Sequence, residues 1–111
     1  MNKYTAIGLL AAATEGKRII VVSPHERAVR DAVDEVHQIA PDLHWRRTNG
    51  DERVTFPSAG MIRFLTRSRR NLRGLSVDVV LVEDERDIDR DFAGEMHAVI
   101  KASPCGEIVR Y

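Results

Sequence analysis

Apolar residues along this chain fall either in unbroken runs or at helical spacing, and the two patterns predict different elements. Arg18–Val22 (RIIVV) and Val77–Val82 (VDVVLV) are runs rich in β-branched residues, the pattern of strands covered on both faces. After the first run, Ala28, Val29, Ala32, Val33, Val36 and Ile39 form one helical stripe that Pro41 ends. Ser23-Pro24-His25-Glu26 joins strand to helix. The serine can accept from free helical N–H groups, the proline fits the first helical position, and the glutamate can reach back as a capping box. Thr5–Thr14 (TAIGLLAAAT) is apolar on nearly every side and predicts a helix buried on most of its surface. Glu15-Gly16 stops it, with the glycine free to take the left-handed cap conformation.

Farther along, Arg53–Phe56 and Met61–Leu65 predict two short strands joined through Pro57-Ser58-Ala59-Gly60 as a hairpin. Thr66–Gly74 is a polar, arginine-rich connection. Asp89–Ala102 places Phe92, Ala93, Met96, Val99 and Ile100 at helical spacing, with acids in the first turn, and Glu107–Tyr111 adds a last strand. Helix, strand, helix, hairpin, strand, helix, strand predicts one three-layer α/β/α domain over residues 1–111, with a mostly parallel sheet and a short β-hairpin.

Composition sets limits on this picture. A chain of 111 residues makes one small domain, and 43% hydrophobic residues can fill its core. No apolar run approaches the ~20 residues of a membrane span, and Ala6–Ala13 lacks the flanks of a secretory signal, so no membrane contact and a cytoplasmic location are expected. Cys105 is a lone cysteine, which excludes an internal disulfide and a cysteine metal cluster. His25, His37, His44 and His97 show no close ligand spacing, so no metal centre is expected. Trp45 reads as a packing anchor and His25 as a surface histidine at the second position of its helix.

Charge changes the picture more. Seventeen Lys and Arg balance seventeen Asp and Glu, which argues against a generally basic nucleic-acid binder, yet the charges are segregated. Arg46–Arg73 holds eight arginines against Asp51 and Glu52, a net charge of +6. Asp78–Glu95 holds eight acids against Arg86 and Arg90, a net charge of −6.

The acidic block includes Glu83-Asp84-Glu85 at the end of the second buried strand. Ligands of open α/β sheets bind at the carboxyl ends of strands, and in ATPases carboxylates there hold magnesium and orient the attacking water. GKRIIVVSPHERAVRDAVDEV (Gly16–Val36), followed by GMIRFLTRSRRNLRGLSVDVVLVEDERDI (Gly60–Ile88), resembles the ATPase domain of phage terminase large subunits and, more distantly, superfamily 2 helicases. The resemblance covers roughly residues 5 to 90, and Arg73-Gly74 before the acidic strand is among its most terminase-like parts. It implies a P-loop-NTPase-like sheet and a nucleotide site.

Two departures redirect that expectation. The family's glycine-rich loop ending in Gly-Lys-Ser/Thr cradles phosphate, whereas here Met1-Asn2-Lys3-Tyr4-Thr5 stands where it would end. Lys3 and Thr5 are then remnants of a phosphate site, or Lys3 is simply an exposed lysine, the plainer reading. The family's Asp-Glu pair is inverted to Glu83-Asp84, which moves both metal and water positions by a methylene; chemistry dependent on fine placement tolerates this poorly. Magnesium at Glu83 and Asp84 could persist as a vestige of the old function, but neither a required cofactor nor ATP hydrolysis is expected.

The resemblance also implies a phosphate-loop strand beside Val77–Val82. Without it that strand would show a bare apolar edge, which proteins do not leave uncovered. Three repairs exist: a rearranged strand order, a homodimer joined edge to edge, or a strand from another protein. Arg67, Arg69, Arg70 and Arg73 could bind nucleic-acid phosphate, meet a protein partner, or pair with Glu83, Asp84, Glu85 and Asp87 within the fold or across a dimer; pairing is favoured. The leading expectation is a small, catalytically degenerate relative of terminase ATPases, phage or prophage encoded, working as a decoy, regulator or host-factor binder. The alternatives are a nucleic-acid-binding accessory protein using residues 46–73, and an ATPase half-site completed in trans.

Overall fold

The computed structural model describes residues 1–48, 50–66 and 77–83, together with the backbone of a strand at 107–110. The elements run α1 (Lys3–Thr14), β1 (Arg18–Ser23), α2 (Glu26–Ile39), β2 (His44–Thr48), β3 (Asp51–Thr55), β4 (Met61–Thr66), β5 (Val79–Val82) and β6 (Glu107–Arg110). They build one six-stranded sheet in the order β2-β3-β4-β1-β5-β6. Its centre is parallel, β1 lying between β4 and β5, and β6 is parallel to β5. β2, β3 and β4 form an antiparallel meander at one side, so the expected hairpin is β3–β4 extended by one strand. The helix expected over 89–102 and the connection over 67–74 lie outside the described residues.

The two apolar runs form β1 and β5, and both faces of each are buried. Ile19, Val21, Val79 and Leu81 join the core beneath the helices, while Ile20, Val22, Val80 and Val82 are buried on the reverse face. α2 behaves as its stripe predicts and buries Val29, Ala32, Val33 and Val36. Each of these three valines contributes about 1.5–3 kcal/mol when fully removed from water.

α1 departs from expectation. It buries only Ala6, Leu9 and Ala13, and leaves Tyr4 82% and Ile7 45% exposed. Uniform apolarity supplies no directional stripe, and α2 and the sheet cover only one side. The predicted stop is present: Gly16 has φ +98°, its N–H donates to Ala13 O at 2.9 Å, and Lys17 N–H donates to Ala12 O at 3.2 Å. Those two bonds are the Schellman pattern that satisfies orphan helix carbonyls. The β3–β4 turn then packs on this helix end, with Ser58 Oγ donating to Ala13 O at 2.9 Å. A side chain at Gly60 would stand 1.9 Å from that same oxygen, so only glycine fits there.

The start of α2 is also corrected. Ser23 is the last residue of β1 and is buried; the N-cap is His25, whose Nδ1 accepts from Ala28 N–H at 3.1 Å. Serine stays in the strand because its hydroxyl is engaged across the sheet, which leaves the imidazole to cap.

Candidate functional site

The carboxyl ends of β1 and β5 bring together Ser23, Glu83 and the amino end of α1. Glu83 directly follows β5 and its N–H donates to Val22 O at 3.0 Å. Ser23 Oγ donates to Glu83 Oε1 at 2.7 Å, and the Met1 ammonium lies 3.4 Å from Oε2. Only 10% of the Glu83 side chain is exposed. Thus the first acid of the inverted pair has a hydroxyl on one oxygen and an ammonium on the other. These two groups are its partners among the described residues, and the arginines expected to pair with it lie outside them. Asp84 lies outside the described residues, as do Arg67, Arg69, Arg70 and Arg73.

Lys3 and Thr5 occupy the first turn of α1. Lys3 is exposed and makes no ion pair among the described residues. Thr5 N–H donates to Asn2 Oδ1 at 2.8 Å, making Asn2 the N-cap. A phosphate-binding helix presents such N–H groups to its ligand; in α1 the asparagine side chain takes this one. Asn2 and Ser23 are the residues that sequence reasoning missed here. An asparagine ahead of an apolar run is a cap signal, whereas the Ser23 contact joins positions 60 residues apart and leaves no local trace.

The outer edge of β5, expected to need a cover, has one. β6 pairs with it in register from Val79↔Glu107 to Val82↔Arg110. Within the chain β6 takes the place beside β5, so β5 itself offers no free edge for a dimer. Among the described residues the outer strands of the sheet are β2 and β6. The acidic block is likewise split by the fold. Asp78 sits at the amino end of β5, where its Oδ2 accepts from Arg18 N–H at 2.9 Å, a whole strand away from Glu83.

The described arginines of the basic block gather on the meander. Arg46, Arg53 and Arg63 stand directly opposite one another across β2, β3 and β4. They surround Asp51, with Arg46 Nε at 3.1 Å, Arg63 Nη2 at 3.8 Å and Arg53 Nε at 3.9 Å. Among the described residues Asp51 Oδ1 and Arg63 Nε are buried with no hydrogen-bond partner. Arg47 points the other way and pairs with Asp34 of α2. Trp45 is the packing anchor expected of it: its ring stacks on Phe64 at 6.3 Å and lies 5.0 Å from His37, and Nε1 donates to Ala40 O at 2.9 Å.

Among the described residues no helix is long and apolar enough to cross a membrane. No protein-family profile matches the chain, and no curated protein matches its sequence. Solved structures do. The large terminase of a thermophilic bacteriophage, in complex with ADP, superposes with a TM-score of 0.64 over 95% of this chain, at 9% identity. A second structure of that large terminase gives 0.60 over 97%, also at 9% identity. The chain spans 29% and 28% of those terminase chains, under a third of their length. At that identity the likeness is one of fold: the chain has a small α/β fold with a mixed sheet that resembles the terminase ATPase domain.

Proposed function

We propose that this chain is a terminase-related α/β protein that does not hydrolyse nucleotide and acts by binding another protein. The observation that carries this reading is the Asn2 cap on α1, which engages an N–H group that a phosphate-binding helix would present. The Ser23–Glu83 hydrogen bond supports it, because it commits one carboxylate oxygen to a neighbour in the fold. A metal at this place would compete with that hydroxyl. A regulatory or decoy role follows from keeping the fold of a motor component without its chemistry.

Thermal melting with magnesium and ATP, paired with a phosphate-release assay, tests this. No turnover and no shift in melting temperature are expected. A ligand at one hundred times its Kd would stabilise by about 2.7 kcal/mol, so a melting shift at millimolar ATP that Lys3→Ala abolishes would overturn the proposal.

A further inference from the structure

Among the described residues β2 is an edge strand, paired with β3 on one side and with no strand of the sheet on the other. Along its outer side alternate N–H and C=O groups therefore lack a ladder partner. Four of its five residues are exposed, Trp45 being the exception. Its consecutive arginines present positive charge on both faces of the edge, since successive strand side chains point to opposite sides. On one face Arg46 is backed by Arg53 and Arg63 in register. Like charges set directly opposite destabilise a sheet, and Asp51 offsets them only in part. It reaches Arg46 at hydrogen-bond distance, stands 3.8 Å or more from the other two, and leaves Arg63 Nε unsatisfied. On the other face Arg47 is half exposed, paired with the exposed Asp34 and set opposite Glu52 in register.

We propose that this edge receives an extended acidic segment of another protein, which adds as a strand against β2 and sets carboxylates opposite Arg46 and Arg47. The inference rests on the protein-binding reading above and names its partner's chemistry. In such strand addition the main-chain ladder supplies affinity and the side chains supply specificity. Charge rejects a second copy of this chain, because antiparallel pairing of β2 with itself sets arginine against arginine. A nucleic acid matches less well. It has no backbone ladder to offer, Asp51 lies within the arginine row, and Trp45 is stacked on Phe64 on the helix side rather than free to stack on a base.

The test is fluorescence anisotropy on the full chain with a short labelled peptide rich in Glu, Val and Thr. A matched peptide with Gln for Glu and a labelled single-stranded DNA serve as comparisons. The acidic peptide is expected to bind about tenfold or more tighter than its Gln counterpart, to weaken with salt, and to lose binding when its alternate amides are N-methylated. Arg46→Gln with Arg47→Gln should remove the preference, and Arg46→Glu with Arg47→Glu should transfer it to a Lys-containing peptide. Equal affinity for both peptides, or stronger binding of DNA, overturns the inference. So does self-association of the free chain that the same substitutions abolish. If the peptide fails and ATP also has no effect, the acidic strand is removed and the protein-binding reading stands; a response to ATP removes that reading instead.

Discussion

The two faces of the β2–β4 meander are built from the same strands and solve opposite problems. Toward α2, the cross-strand neighbours Trp45, Val54 and Ile62 and the adjacent Phe64 close an apolar core beside the buried Glu52, and Val54, Ile62 and Phe64 are fully buried. One residue away along each strand, Arg46, Arg53 and Arg63 crowd like charges around a single aspartate, and two buried polar atoms lack a hydrogen-bond partner among the described residues. A period of two lets one segment carry both, since each residue step crosses to the other face. Stability is concentrated on the helix face, and the arginine face is free to be poorly satisfied.

That division can be broken by substitution. Phe64→Ala should have the largest effect, about 3–5 kcal/mol of stability lost in denaturant titration, because the ring is buried and stacked on Trp45. A loss under about 1 kcal/mol would mean that the helix face is not the stabilising one. Asp51→Asn should cost about 1 kcal/mol at low salt, by uncovering the repulsion among three arginines, and the loss should shrink as salt screens it. A loss that does not respond to salt would place Asp51 in a packing role. Arg53→Thr should lie within about 0.5 kcal/mol of the parent or slightly above it, since it relieves the centre of the row and threonine suits a strand. A drop comparable with that of Phe64→Ala would merge the two faces into one cooperative unit.

What could be read from residues alone follows from how local the cause is. β1 and β5 were legible because burial on both faces forces unbroken apolar runs. The β3–β4 hairpin was legible because Pro57–Gly60 carries its own turn chemistry. β2 was not, because HWRRT needs only Trp45 inside and the rest of an edge strand can be polar. The burial of α1 was overread because alanine-rich apolarity does not say which side a neighbour will cover. At the candidate sites, Glu83 was visible as the end of a buried strand. Its tie to Ser23, and the role of Asp51 as the hub of three arginines, depend on sheet register that no local pattern encodes.

Strand β6 gives the chain a timetable. About 25 residues separate Val82 from Glu107, so β6 reaches β5 only after a loop of that length has closed, whereas β3 and β4 meet across a short turn. The outer edge of β5 is therefore completed later in folding than the meander on the opposite side of the sheet.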